Sequence, residues 1–213
     1  LFSYFIENKP MTSPSTNPSL VLLTVGHSNH EPDQFLQLLH THSVSVLADV
    51  RSSPFSKFLP HFNQQILESH LKAHNIRYVF VGKELGGRPE GEQFYDEEGY
   101  VLYHRVAEAP FFRAGLDRLK TGLQRGYRIA IMCSEEDPSE CHRCLLVTRV
   151  LSEEGVECQH IRGDGSLQSE QQVRDSMGDS QNQLVLFGEM ENDSWKSIRS
   201  VLPKVQPPDS LLE

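Results

Sequence analysis

The sequence predicts an α/β fold: a three-layer, mostly parallel, doubly wound sheet of about five or six strands. Three observations lead there. Short runs rich in Val, Ile and Leu alternate with longer amphipathic segments, the pattern of βαβ units. Most of these runs stop at a glycine or at charged residues, as buried strands do. The chain has 213 residues, enough for one such domain with a full core and short for two.

The elements follow in order. Leu20 to Val25 is the first predicted strand, ended by Gly26. Pro32 then opens a helix that puts Phe35, Leu38 and Leu39 on one face. Val44 to Val50 is the second strand, followed by a loop with Pro54 and Pro60. Asn63 is expected to cap a helix carrying Ile66, Leu67 and Leu71. Arg77 to Val81 is the third strand. A long connection rich in glycine and acid follows, of the kind that forms lids and binding loops. Tyr103 to Gln124 is helical, with Pro110 as a kink or boundary. Arg128 to Met132 is the fourth strand, and a helix over Cys141 to Glu154 ends at Gly155. Val156 to Ile161 is the fifth strand. Leu167 to Met177 reads as a helix, Leu184 to Phe187 as a sixth strand, and Ser194 to Val201 as a last helical turn. Residues 1–19 read as a flexible extension, 20–202 as the domain and 203–213 as a tail.

Apolar residues make up 38% and charged residues 23%, the composition of a folded chain rather than a disordered one. The net charge of −9 argues against a broad nucleic-acid surface, although a local cationic pocket remains compatible with it. No apolar run is long enough to span a bilayer, and the opening LFSYFIENK lacks the basic start of a signal peptide. The expected location is therefore the cytoplasm, where the four cysteines stay reduced.

In an open parallel sheet, ligands bind outside the carboxyl ends of the strands. The first strand is followed by Gly26, His27 and Ser28, and the second ends in Asp49 and Arg51. The third leads to Gly86, Gly87 and Arg88, the fourth to Cys133, Ser134, Glu135 and Glu136, and the fifth to Arg162 and Asp164. His27 is either an acid or base or a structural residue bonded to loop backbone. Ser28 or Asn29 is expected to cap the next helix. Asp49 and Arg51 share one side of their strand, so they form an internal pair or present Arg51 to an anion. Gly86 and Gly87 allow close approach of backbone to a ligand. Cys133 is a nucleophile, a metal ligand or a buried small side chain, and the adjacent carboxylates oppose its ionisation. Cys141, His142 and Arg143 are expected to open a helix whose N–H groups and guanidinium cradle an anion. Cys133, Cys141, His142 and Cys144 also offer donors of the zinc type.

The segments TVGHSNH, LADVRSSPFS, LGGR and MCSEEDPSECHR together resemble the DUF488 family, a group of small proteins of unknown function. The resemblance runs from about Leu22 to His160 and rests on the order of the motifs. It falls on Gly26, His27 and Ser28; on Asp49, Arg51 and Pro54; on Leu85, Gly86 and Gly87; and on Cys133, Glu135, Cys141, His142 and Arg143. Cys144 lies outside the pattern. The resemblance implies a site without implying a substrate.

The leading expectation is an intracellular enzyme acting on a small anionic, phosphate-bearing ligand such as a nucleotide or a nucleic-acid end. Arg51, Arg88 and Arg143 would hold the anion, His27 or Glu135 would move a proton, and Cys133 would be nucleophile or pocket wall. One rival is a sensor with the same pocket and no chemistry. The other is a metal-binding structural or redox protein. No cofactor is expected under the leading reading. Zinc at Cys133, Cys141 and His142 belongs to the last.

Overall fold

The computed structural model describes residues 20–177 and 195–201. Five strands run parallel: β1 (Val21–Gly26), β2 (Val46–Asp49), β3 (Arg77–Phe80), β4 (Ile129–Cys133) and β5 (Glu157–Ile161). A short β6 (Leu167–Ser169) pairs antiparallel with β5. The helices are α1 (Pro32–Thr41), α2 (Gln64–Ala73), α3 (Gly82–Leu85), α4 (Tyr103–Glu108), α5 (Pro110–Gln124), α6 (Arg149–Glu153) and α7 (Glu170–Ser176). The sheet order is β3-β2-β4-β1-β5-β6. The three-layer, mostly parallel α/β fold is thus present, and no helix among the described residues is long and apolar enough to cross a membrane.

Strand alternation assigns each side chain to a layer. Leu23, Val25, Leu47, Ala130, Met132 and Ile161 face α1 and α2, packing on Phe35, Leu39, Leu67 and Leu71. Leu22, Ala48, Ile131 and Cys133 face the other way, onto Phe112, Leu116 and Leu119 of α5 and Leu146 and Leu151 near α6. Both faces are buried, which is why these strands read as continuous apolar runs. Leu116 is fully buried, and its truncation to Ala costs roughly 2–5 kcal/mol.

The connections decide where a site can form. The chain leaves β1 toward α1 on one face, whereas it leaves β4 toward α6 on the other. β1 and β4 are neighbours, so their carboxyl ends flank a topological switch point.

Several elements differ from expectation. Residues 167–169 form β6, and only Glu170–Ser176 is helical. The reason is a capping box: Ser169 and Gln172 exchange side-chain-to-backbone bonds and start the helix late. As expected, the Tyr103–Gln124 segment has its boundary at Pro110, which separates α4 from α5 and occupies the first turn of α5. The stretch Arg143–Thr148 winds as a π-helix before α6 rather than as α-helix. The long connection contains α3, stacked on α5. Asn63 precedes α2 without capping it, because its Oδ1 accepts from the Ser56 amide at 2.6 Å. Neither Ser28 nor Asn29 caps α1; Glu31 precedes it, and Ser28 sits at positive φ. Residues 195–201 form no helical turn: Lys196 bridges to Leu102 as a short antiparallel contact. The expected strand at Leu184–Phe187, the extension 1–19 and the tail 203–213 lie outside the described residues.

Candidate functional site

At the switch point the ladder continues past the strands. The His27 amide donates to the Cys133 carbonyl at 2.9 Å, and the Ser28 amide to the Ser134 carbonyl at 2.8 Å. Gly26 is required here, because a Cβ would overlap the Glu135 carbonyl oxygen. The loop after β4 therefore folds directly over the end of β1.

That loop then turns back on itself. Asp137 caps a 3-10 turn at Pro138–Glu140, its Oδ1 accepting from the Ser139 amide at 2.8 Å and the Ser139 hydroxyl at 2.6 Å. Cys141 follows in extended conformation, and its carbonyl accepts from the amides of Cys144 and Leu145 at 3.0 Å each. The turn carries Cys141 and His142 back to Cys133. One sulfur or ring-nitrogen donor atom from each of the three residues lies within 4.8 Å of the others. Cys133 Sγ is 3.6 Å from His142 Nδ1, and Cys141 Sγ is 3.9 Å from the same atom. Cys133 Sγ also donates to Glu135 Oε2 at 3.2 Å. The other ring nitrogen, Nε2, lies 3.2 Å from the Val50 carbonyl, which fixes it as the donor and turns Nδ1 toward the thiols. Gly87 backs onto this ring: a Cβ there would stand 2.9 Å from His142 Cγ. Gly86 is similarly crowded, by the Gly82 carbonyl and Ser52 Oγ. Of the two, Gly87 presses backbone against a site residue, and Gly86 packs on the neighbouring turn.

The two thiols titrate in opposite directions. The hydrogen bond with Cys141, together with burial, pushes Cys133 well above the usual thiol range. Burial also opposes ionisation of Cys141. However, the bond from Cys133, the Arg143 guanidinium and His142 outweigh it and hold that thiol well below its ordinary value. The Arg143 amide adds a contact to Cys141 Sγ at 3.5 Å. Burial lowers His142, but Cys141 and Glu135 outweigh it and leave the imidazole above its ordinary value. These directions favour ionisation of Cys141 over Cys133.

His27, Asp49 and Arg51 are not part of this cluster. They lie on the opposite face of the sheet, beside Phe62. Arg51 grips Asp49 through Nε at 3.0 Å and Nη2 at 2.6 Å, and it donates to the Phe62 carbonyl at 2.8 Å. Tyr78 donates its hydroxyl to Asp49 at 2.8 Å. His27 Nε2 faces Arg51 Nη1 at 3.3 Å, and Nδ1 bonds the Ser28 carbonyl at 2.8 Å. Both ring nitrogens are occupied, and the arginine partner assigns Nε2 as acceptor. Burial, with Arg51 adding to it, lowers His27 to about 4, so the ring is neutral at pH 7.

Arg143 is fully buried. Its Nη1 donates to the Glu135 carbonyl, Nη2 to the Glu136 carbonyl at 2.6 Å, and Nε to Thr24 Oγ1 at 3.3 Å. Its fork therefore holds the loop instead of facing solvent. Glu136 is bound by Arg162 Nη2 at 2.8 Å and by the Gly163 amide at 2.9 Å. Of the two adjacent glutamates, only Glu135 is directed at the thiols. Arg88 is exposed, with its amide on Ser52 Oγ at 2.9 Å, and Ser28 keeps a partly exposed hydroxyl. Asp164 accepts from the Ser166 amide and hydroxyl, away from the cluster.

Sequence reasoning missed three contributors. The Val50 carbonyl leaves no mark in a sequence. Tyr103 is buried close enough to Cys141, Cys133 and Glu135 for their charges to add to burial in raising its pKa. Thr24 carried a readable signal, a hydroxyl inside the apolar run VLLTVG. A cavity of ≈ 320 Å³ lies elsewhere, at the amino end of β1, lined by Leu20, Val21, Leu123 and Tyr127.

A protein-family model described as "Domain of unknown function DUF488" matches residues 31–150. That span includes Asp49, Arg51, Gly86, Gly87 and the whole Cys133–Arg143 loop, while Gly26, His27 and Ser28 lie just before it. No match to a curated protein or to a solved structure was found.

Proposed function

Since the chain belongs to the DUF488 family, whose description carries no reaction, we propose from the site geometry that Cys133, Cys141 and His142 hold a zinc-class metal ion. One observation carries the reading. Two sulfurs converge on one imidazole nitrogen whose partner nitrogen is fixed by a backbone carbonyl. With Zn–S near 2.3 Å and Zn–N near 2.0 Å, tetrahedral donors stand roughly 3.5 Å apart. The S···N separations of 3.6 and 3.9 Å fit such a shell with little movement. A carbonyl behind a ligating histidine is the usual outer partner of such sites.

Glu135 would supply the fourth donor by a rotation of its side chain, since its carboxylate is not among the three donor atoms that lie within 4.8 Å of one another. Its carboxylate lies on the partly exposed side of the cluster, 3.2 Å from Cys133 Sγ. A displaceable carboxylate lets the ion take a water or a substrate oxygen, as catalytic zinc does and sealed structural zinc does not. Two thiolates, a carboxylate and a divalent ion leave one negative charge, which Arg143 offsets. The function proposed is therefore that of a metal-dependent enzyme with its ion at the switch point.

The anion-cradle reading has less support. Arg51 and Arg143 spend their guanidinium groups on internal partners, and Glu135 adds negative charge to the site. Arg88 alone of the three expected arginines is exposed.

Elemental analysis of protein purified under reducing conditions, without chelator, tests the proposal. About one zinc-class ion per chain is expected, lost in Cys141→Ala and in His142→Ala. A wild-type protein without metal, or one whose metal survives both substitutions, would sink it.

A further inference from the structure

A second group of polar side chains is buried in the α5–α6 face, behind the site. Thr24, Thr148, His160 and Arg143 are each 0% exposed, and Glu170 is 7%. Such groups persist in a core only when their bonds are satisfied. Here they form a continuous chain. Arg174 Nε donates to Glu170 Oε1 at 3.2 Å, and the Thr148 hydroxyl to Glu170 Oε2 at 2.6 Å. His160 Nε2 meets Glu170 Oε2 at 3.0 Å, and His160 Nδ1 meets Thr24 Oγ1 at 2.8 Å. Thr24 Oγ1 in turn accepts from Arg143 Nε.

Thr24 Oγ1 accepts from Arg143 Nε and pairs with Nδ1 of the His160 ring. Nε2–H of that ring then donates to Glu170. Cys144, His160 and Glu170 do lie at metal-ligand distances. However, Glu170 is already bonded by His160, Thr148 and Arg174, with the Cys144 thiol at 3.7 Å, so its carboxylate is fully engaged without a metal.

We propose that Thr24, His160 and Glu170 are positioning residues, which fix Arg143 so that it clamps the carbonyls of Glu135 and Glu136 and holds the Cys133–Glu136 loop in ligating geometry. The inference deepens the metal reading, but its structural part stands apart from it. The π-helix at Arg143–Thr148 is part of the same device, since it presents Arg143, Cys144 and Thr148 together to the buried network.

Thr24→Val tests this with little change of shape, because it deletes the one hydroxyl joining Arg143 to His160. Two quantities are read. The first is amide hydrogen exchange of His27 and Ser28, which donate to the Cys133 and Ser134 carbonyls, relative to Val81, which donates to Asp49. The second is the affinity and the thiolate-to-cobalt absorption of bound Co²⁺. Thr24→Val is expected to speed the His27 and Ser28 amides roughly tenfold relative to Val81, and to weaken Co²⁺ on the order of tenfold with an altered spectrum. Thr24→Ser restores both. An unchanged exchange ratio in Thr24→Val, or failure of Thr24→Ser to restore it, overturns the proposal. If wild-type protein takes up no Co²⁺, the metal reading falls and the exchange ratio alone decides the positioning role.

Discussion

At His27, burial and the Arg51 guanidinium hold the imidazole at about 4, below its ordinary 6.5. A base with a lowered folded pKa binds fewer protons folded than unfolded. Its stabilising contribution is fully present above about pH 6.5 and is lost as the pH falls from 6.5 toward 4. Urea unfolding at pH 7.5 and pH 5 is expected to show wild type losing on the order of 2 kcal/mol more than His27→Gln. Equal losses in both proteins would show that His27 is not held neutral by the fold. Gly87 gives a second test at this scale. Gly87→Ala places a methyl 2.9 Å from the His142 ring and pushes it off the Val50 carbonyl. Metal affinity is expected to fall on the order of tenfold with a small loss of stability. Unchanged affinity would detach Gly87 from the site.

Among the elements, β1, β2 and β4 can be read from the sequence because each is apolar on both sides and ends at a visible stop, while the more polar β3 and β5 are marked by their bounding glycines and charged residues. β6 cannot, since its three residues LQS carry no apolar pattern and gain their pairing from β5. The convergence of Cys133 with Cys141 is equally hidden. The seven residues between them fit any loop direction, and the Asp137 cap on its 3-10 turn decides it. The division of the site between two faces was legible in principle. Leu23, Val25 and His27 share one parity, as do Leu47, Asp49 and Arg51, while Ile129, Ile131 and Cys133 fall on the other face. Strand-end residues usually escape alternation, and here the ladder continues beyond Gly26 and preserves it. The segment 195–201 is docked by backbone bonds to residues 99–103 and by several side chains, of which Trp195 packs against the core. Trp195 donates Nε1–H to the Leu145 carbonyl at 2.9 Å, and Arg149 stands 4.3 Å over its ring. Trp195→Ala is expected to cost about 1–3 kcal/mol in denaturant unfolding. A neutral result would mean that the Trp195 side chain adds no stability.

For the molecule as a whole, the doubly wound sheet explains why motif residues from four strand ends form two sites and not one. Asp49, Arg51, His27 and Tyr78 build a closed ion-pair network against α2, and that network supports the β2 end whose Val50 carbonyl bonds His142. On the other face the two thiols, His142 and Glu135 gather at the switch point, backed by the Arg143–Thr24–His160–Glu170 chain. The net charge of −9 does not oppose a cation site of this kind, whereas it offers nothing to a polyanion. X-ray absorption at the zinc edge of the purified protein tests the metal centre most directly. The expected shell has two sulfurs near 2.3 Å with one nitrogen and one oxygen near 2.0 Å. A shell of nitrogen and oxygen alone, or one unchanged in Cys133→Ala, would contradict it.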